Sequence, residues 1–327
     1  MKILWLCDSY TKPEYNHWYR IDFVKYLKDN FNLDILVYGW NSDKNNPKLS
    51  PIKFALEKNL KNLKKEFDFD IIIIDGYNRN KIKQRLSIYK NIKDYPVIYM
   101  EGDFHHYFKK ENYSDWLRNI NPKIILHRHK SNIIRGTKNY SELKHKWFPC
   151  SVDNSIFKPN SEIKKIKKIV FIGSKWRERT NYLNALINNN LGDIYNIKYG
   201  TKGYKKRFKL YTGDYYIKTL QNYISAFNHS GTINQNVDNA KMFEIMACKT
   251  VLLTNKCDNG VKELFPKDSY VLYKNQSDMI DKAKWIINHP KEREIITNKA
   301  LKCITEKHTH QIRAKQLINI IKQEFKI

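Results

Sequence analysis

The sequence predicts an α/β protein made of two domains, each built on a parallel β-sheet. The chain has 327 residues, and one domain usually takes about 100–200. Short apolar runs alternate with longer segments whose apolar residues follow a helical spacing. This alternation stops at residues 148–162 and then begins again. We therefore expect each half of the chain to have its own strands and helices.

The first half contains five short apolar runs that we interpret as strands. Ile71–Ile74 is typical of them, because its unbroken apolar run suits a parallel strand that is covered by helices on both faces. Between the strands, Lys53–Glu66 has apolar residues near helical spacing. This pattern predicts a Rossmann-like domain. The predicted strands are Ile3–Cys7, Leu33–Tyr38, Ile71–Asp75, Val97–Met100 and Lys123–His127.

The second half follows a junction, Phe148–Glu162, that is rich in proline and turn-forming residues. We place the domains at residues 1–152 and 153–308, with residues 309–327 as a C-terminal helix. The strands predicted after the junction are Lys168–Ile172, Ile194–Tyr199, Thr250–Thr254 and Tyr270–Tyr273. The predicted helices are Arg179–Asn188, Ala240–Cys248, Ser277–Asn288, Glu292–Lys307 and His310–Phe325.

The charge of the chain is strongly positive, with 60 Lys and Arg against 33 Asp and Glu and a net charge of +27. Such a field concentrates anions, so nucleic acid, anionic glycans, acidic lipids and sugar nucleotides are all candidate partners. The apolar runs are far shorter than the roughly 20 residues of a membrane span. The first residues lack a signal-peptide pattern, and we expect a cytoplasmic protein. The five cysteines include no CxxC pair, which argues against a disulfide framework or a zinc site.

Polar residues follow several of the predicted strands, at the edge where parallel sheets bind ligands. By contrast, Asp68 and Asp70 form a DxD that precedes its strand and lies at the opposite edge, so we expect no metal site there. Four histidines near strand ends, His105, His106, His127 and His129, are catalytic candidates or structural residues. The polar residues after the strands are Asp8, Ser9, Asp75, Gly76, Glu101, Gly102, Asp103, His105, His106, His127, Arg128, His129, Gly173, Ser174 and Lys175.

The segment Asp238–Asn255 predicts a helix with one glutamate that leads through a short turn into an apolar strand. In a nucleotide-sugar site, a carboxylate accepts the ribose hydroxyls and a helix N-terminus binds the diphosphate. Glu244 would then hold the ribose, with Asn239, Ala240 and Lys241 near the phosphates. The alternative is an ordinary surface glutamate on an amphipathic helix.

Four segments, in order, resemble the CgeB-like (spore maturation protein-like) glycosyltransferases, a branch of the GT-B group. DNAKMFEIMACKTVLLTN is similar to the family pattern N-x-R-x-F-E-x-x-A-C-G-x-x-L-L-T, with Lys241 where Arg is usual. FIGSKWRER resembles F-x-G-S-x-x-x-x-R. WFPCSVDNSIFKP and HPKEREIITNKALKCITEKHTHQIRAKQLI resemble the linker and the C-terminal part. The resemblance covers residues 147–320 and implies a GT-B architecture whose last helix crosses back to the first domain.

Two positions depart from the family pattern. Many related enzymes have a second acid eight residues before Glu244, where this chain has Asn236. Lys249 takes the place of the turn glycine, and a left-handed turn is costly for lysine. We therefore expect the turn after this helix to differ locally.

A basic stretch, Lys198–Tyr216, has tyrosines and a phenylalanine between its cations. This mixture suits nucleic acid or sugar phosphates, although a solvated loop would look the same. Because the stretch follows a predicted strand, we expect Tyr199 and Gly200 to face the ligand edge. Lys205 and Arg207 are candidate acceptor contacts, together with Asp8, Ser9 and His127.

These observations predict a glycosyltransferase that binds its sugar nucleotide, with UDP as the expected nucleotide, on the C-terminal domain. Cations and a helix N-terminus would stabilise the leaving diphosphate without a metal or cofactor. The candidates are Lys175, Arg177 and Lys241, with Gly173 and Ser174 beside them. Asp103 or His105 would activate the acceptor, and the resemblance favours retention of anomeric configuration.

Other functions remain open at this point. We favour a glycan or lipid-linked glycan as the acceptor, but the charge also suits an enzyme that glycosylates DNA bases. A nucleic-acid-binding protein on a silent GT-B scaffold is another possibility, as is a UDP-sugar hydrolase or epimerase.

Overall fold

The computed structural model describes most of the chain as two parallel sheets with packed helices. The described residues are 1–7, 19–39, 60–75, 92–101, 113–173, 175, 178–196, 213–229, 239–255 and 261–326. They divide into two compact units, the first made of most of residues 1–149 with Ala314–Ile327 and the second essentially of Cys150–Arg313. No described helix combines the length and apolar composition needed to cross a bilayer.

The N-terminal unit contains a six-stranded parallel sheet in the order β2-β1-β3-β4-β5-β6. Five of these strands were predicted. The sixth, β6, was missed because its sequence KHKW has no apolar run. A strand at the half-exposed edge of a sheet does not need such a run. The strands are β1 Lys2–Cys7, β2 Asp34–Gly39, β3 Ile71–Asp75, β4 Val97–Glu101, β5 Ile124–His127 and β6 Lys144–Trp147. The helices are α1 Tyr19–Asn30, α2 Leu60–Glu66, α3 Tyr113–Ile120 and α4 Lys130–Asn139, with a 3₁₀ turn at Ile92–Asp94.

The last helix of the chain completes the core of the N-terminal unit. Helix α11, His310–Phe325, places Ala314, Leu317 and Ile321 in the same buried cluster as Ile3 and Trp5 of β1. Its first turn belongs to the other unit. The predicted return of the C-terminal helix to the first domain is thus confirmed, and burial of its apolar residues holds it there.

The C-terminal unit contains a five-stranded parallel sheet in the order β11-β10-β9-β7-β8. Its central strand, β9, was missed because YISAFN contains a serine and is not continuously apolar. Ser225 is buried there, and its hydroxyl donates to Val251 O at 2.9 Å. The strands are β7 Ile166–Gly173, β8 Gly192–Asn196, β9 Tyr223–Asn228, β10 Val251–Asn255 and β11 Val271–Tyr273. The helices are α5 Arg179–Asn188, α6 Gly213–Asn222, α7 Ala240–Ala247, α8 Val261–Leu264, α9 Gln276–Asn288 and α10 Pro290–Lys307.

The turn after α7 corrects the expectation that it would differ from a glycine turn. Lys249 adopts φ +52°, the left-handed conformation that glycine usually supplies. The Lys249 N–H bonds to Met246 O (3.1 Å) and the Thr250 N–H to Ile245 O (3.3 Å), which is a Schellman turn. Lys165 stabilises it, since Nζ donates to Cys248 O (3.3 Å) and Lys249 O (2.9 Å). These bonds to the end of the helix offset the strain of a left-handed lysine.

Candidate functional site

The start of helix α7 is fixed to the carboxyl ends of two strands by a row of polar side chains. Asn228, the last residue of β9, donates from Nδ2 to Thr254 Oγ1 on β10 at 3.1 Å. Asn239 Nδ2 then donates to Asn228 Oδ1 at 3.1 Å. Because Asn239 is the N-cap residue of α7, this row holds the helix N-terminus at the edge where parallel sheets bind ligands.

The first turn of α7 has two features that suit a bound anion. An N-cap asparagine ordinarily accepts a hydrogen bond from an N–H of the first helical turn, but Asn239 makes no such bond to α7. The first turn, which starts at Ala240, has no acidic residue. Its N–H groups and the positive end of the helix dipole therefore suit a negatively charged group.

Two cations meet at the end of β7, over the ring of Phe171. Lys241 Nζ, from the first turn of α7, lies 5.1 Å from the ring centroid and donates to Ile172 O. The Arg179 guanidinium, at the start of α5, lies 5.6 Å from the same centroid and donates to His229 O. Cation–π attraction offsets part of the cost of removing these charges from water.

Both cations are partly buried, and this burial changes their pKa values. Burial, together with the repulsion from Arg179, lowers the pKa of Lys241 to about 8. Burial also lowers the pKa of Arg179. An anion bound between the two side chains would relieve their repulsion, and a diphosphate presents oxygens to both at once.

Gly173 lets Lys241 approach the end of β7. Its φ of +153° is one that residues with side chains rarely adopt. A Cβ at this position would lie 3.1 Å from Lys241 Nζ and 3.0 Å from Phe171 Cζ. The glycine is therefore required both by its backbone and by the close packing of Lys241.

Glu244 lies one turn further along α7, and its carboxylate is almost wholly buried. Tyr216 on α6 donates its hydroxyl to Glu244 Oε2 at 2.6 Å. Burial raises the pKa of Glu244, whereas the Tyr216 hydrogen bond and the charge of Lys241 act in the opposite direction. A carboxylate held in this way, one turn from an anion site, suits a ligand that carries hydroxyl groups next to a phosphate.

The N-terminal sheet also has a polar edge, formed by histidines and buried acids. His127, at the end of β5, is buried, and its Nε2 lies 2.8 Å from His145 Nδ1. His145 Nε2 is 2.9 Å from the carbonyl oxygen of Tyr140, which can only accept, so His145 donates there and accepts from His127. Burial lowers the pKa of His127 to about 3 and that of His145 less far. Both rings are therefore neutral at pH 7.

Buried acids complete this edge. Glu101, at the end of β4, accepts from Asn132 Nδ2 at 3.2 Å and lies 3.6 Å from His127 Nδ1. Asp75, at the end of β3, accepts from Arg128 Nη2 at 3.3 Å. The strand ends of this unit therefore meet in a buried cluster of ionisable and hydrogen-bonding side chains, at the edge that their positions in the sequence predicted.

The sequence comparison decides the family. A model of a family described as glycosyl transferase-like matches residues 156–319, just over half of the chain. The chain belongs to this family. None of the curated proteins compared with the chain matches it.

Solved structures show that this glycosyltransferase has the GT-B fold. Sucrose-phosphate synthase from Thermosynechococcus elongatus is similar with a TM-score of 0.70 at 10% identity, over 99% of both chains. Anabaena HepE, solved with UDP and glucose, has a TM-score of 0.69 at 12% identity, over 99% of this chain and 100% of its own. A DNA-modifying β-glucosyltransferase is similar with a TM-score of 0.60 at 13% identity, over 100% of both chains.

The structure brings together five of the residues that the sequence assigned to the sugar nucleotide. Gly173, Asn239, Ala240, Lys241 and Glu244 lie at the end of β7 or on the first two turns of α7. Lys175 lies two residues beyond Gly173 and is partly exposed. His127, a predicted acceptor contact, is buried and would act through its neighbours. Thirteen predicted residues lie outside the described part of the chain: Asp8, Ser9, Gly76, Gly102, Asp103, His105, His106, Ser174, Arg177, Tyr199, Gly200, Lys205 and Arg207.

Sequence reasoning missed two residues of this candidate site. Arg179 was visible as the last residue of FIGSKWRER, but it was assigned only to the start of a helix. Tyr216 was visible at the end of the basic stretch, but nothing in the sequence linked it to Glu244. Their contacts join residues 28 or more positions apart.

We predict that Gly136→Ala separates the His127–His145 pair. A Cβ on Gly136 would lie 2.6 Å from His145 Nδ1 and 3.0 Å from His127 Nε2. The crowding should lower the free energy of unfolding by about 1–3 kcal/mol, despite the better helix propensity of alanine. Urea unfolding would measure this, with the exposed neighbour Thr137→Ala as the control. Equal stability of the two variants would contradict the prediction.

Proposed function

We propose that this glycosyltransferase transfers a sugar from a UDP-sugar to a hydroxyl or similar group of an acceptor. The observation that carries the proposal is the pair of partly buried cations, Lys241 and Arg179, beside the N-terminus of α7. Glu244, one turn further on, suits the ribose hydroxyls. HepE, which was solved with UDP and glucose, has the same fold and supports the choice of nucleotide.

In the transfer, the bond between the sugar C1 and the acceptor oxygen forms while the bond from C1 to the diphosphate breaks. Negative charge develops on the diphosphate, and Lys241, Arg179 and the α7 N–H groups would stabilise it as it leaves. Lys175 and Arg177 are further candidates for this role. The acceptor proton would pass to Asp103 or His105, which follow β4, and we propose that the anomeric configuration is retained, on the family resemblance.

We also propose that the reaction needs no metal ion. The reason is chemical, because the cations and the helix N-terminus can supply the positive charge that a metal would otherwise provide. The four sequence segments described above further support a place in the CgeB-like branch of the family.

The acceptor that we propose is a glycan or a lipid-linked glycan, held at the N-terminal sheet edge. The net charge of +27 also favours a second candidate, transfer to DNA bases, because polyanions bind strongly to such a field. The residues proposed for acceptor contact are Asp8, Ser9, Lys205 and Arg207, and the buried His127 would act through its neighbours.

We predict that UDP binds the protein and that Glu244→Gln weakens the binding about tenfold or more. A lost hydrogen bond to a charged group costs roughly 1.5–3 kcal/mol. Affinity should also fall as the pH rises above 8, since Lys241 then loses its charge. Calorimetric titration with UDP at pH 7 and pH 9 measures both effects. Glu294→Gln, on the exposed face of α10, is the control, and equal affinity of the two variants would remove Glu244 from the site.

We predict that transfer activity survives EDTA. The positive charge at the diphosphate should come from side chains and helix N–H groups rather than from a bound ion. The measurement is release of UDP from a UDP-sugar in the presence of acceptor, before and after chelation. Complete loss of activity that manganese or magnesium restores would contradict this prediction. Asp68 and Asp70 would then become candidate metal ligands.

A salt series separates the two acceptor candidates. For a DNA acceptor, the logarithm of affinity should fall by about 0.9 per neutralised phosphate for each unit of log salt. Replacing Lys202, Lys205, Lys206 and Arg207 with neutral residues should weaken that binding and spare UDP binding. For a glycan acceptor, we expect weak DNA binding already at low salt, with normal transfer to the glycan. Tight DNA binding without transfer from any UDP-sugar would contradict the proposed enzyme function.

A further inference from the structure

The carboxylate of Glu244 is held by a partner from a different helix. Tyr216 lies in the middle of α6, the helix that follows the basic stretch, and its hydroxyl donates to Glu244 Oε2 at 2.6 Å. The Tyr216 ring is itself buried and packs edge-on against Phe157, with 6.1 Å between ring centroids. The ring is therefore fixed by packing, and its hydroxyl points at one oxygen of the carboxylate.

This contact engages one of the two oxygens of the Glu244 carboxylate. A carboxylate can accept on both oxygens, and Tyr216 takes one acceptor position of Oε2. A bidentate ligand, such as a pair of neighbouring hydroxyls, then meets a carboxylate that cannot rotate away from it. We propose that Tyr216 is a positioning residue that orients Glu244 for the ribose of the donor.

The electrostatic surroundings of Glu244 are consistent with this role. Its titratable neighbours are Lys241 on the same helix and Tyr216 on α6, with the Cys248 thiol one turn further along α7. Burial raises the pKa of Glu244. Of the two interactions that lower this pKa, the hydrogen bond from Tyr216 has the larger effect. Tyr216 itself stays protonated, because burial and the neighbouring carboxylate raise its pKa well above the usual value. It can therefore donate throughout the physiological range.

The inference rests on the proposed function, because it needs a ribose at Glu244. The test compares UDP with 2′,3′-dideoxy-UDP, which lacks both ribose hydroxyls, by calorimetry. In the Tyr216→Phe variant we expect the Kd of UDP to rise about tenfold, because the variant loses one hydrogen bond to a charged group. The Kd of the dideoxy compound should change much less. In the Glu244→Gln background, Tyr216→Phe should add little, since the two residues act through one contact.

The pH profile gives a second measurement that a purely structural role would not move. Without the Tyr216 hydroxyl, the pKa of Glu244 should rise further. The acidic limb of UDP binding should then move to higher pH in Tyr216→Phe. Tyr223→Phe is the matched control, because Tyr223 also donates to a carboxylate of the same unit, Asp193 Oδ2 at 2.9 Å, from the start of β9.

The outcomes separate this inference from the proposed function. If Glu244→Gln weakens UDP binding but Tyr216→Phe does not, the positioning role is overturned and the ribose contact stands. If Tyr216→Phe weakens UDP and the dideoxy compound equally, the residue acts on folding rather than on Glu244, and the inference is also overturned. Failure of the wild-type protein to bind UDP would overturn the proposed function, and the inference with it.

Discussion

The C-terminal unit depends on one electrostatic arrangement, the placing of Lys241 and Arg179 on Phe171 next to the N-terminus of α7. Two partly buried cations and the positive end of a helix dipole come together in one place. Glu244, one turn further along α7, attracts Lys241 and makes its short hydrogen bond with Tyr216. Because like charges in such a site repel, the arrangement is most stable with an anion bound. In the proposed function, a nucleoside diphosphate supplies that charge.

The architecture around α7 explains how this arrangement is maintained. At its start, the Asn239–Asn228–Thr254 row ties the helix to β9 and β10. At its end, Lys165 donates to the carbonyl groups of a Schellman turn. A helix that is fixed at both ends has its first turn and Glu244 fixed as well. Preorganisation of this kind lets charge stabilisation act without reorganisation during the reaction.

Sequence patterns predicted the buried parallel strands well, because an apolar run in a doubly covered sheet is a direct result of burial. They failed for β6, an edge strand of charged residues, and for β9, whose buried Ser225 depends on a bond to Val251. Glu244 and Lys241 could be predicted because they share one helix with a family motif. Tyr216 could not, since its contact with Glu244 depends on how α6 packs. The turn at Lys249 was expected to change, but helix-end hydrogen bonds outweigh the preference for glycine.

The central claim is that the α7 N-terminus and its two cations bind a diphosphate. Amide hydrogen exchange with and without UDP tests it directly, because N–H groups that bind phosphate oxygens exchange more slowly. The account predicts new protection at Ala240, Lys241 and the start of α5, with little change in α9 and α10. Protection confined to other parts of the chain, or none at a UDP concentration that saturates binding, would contradict it.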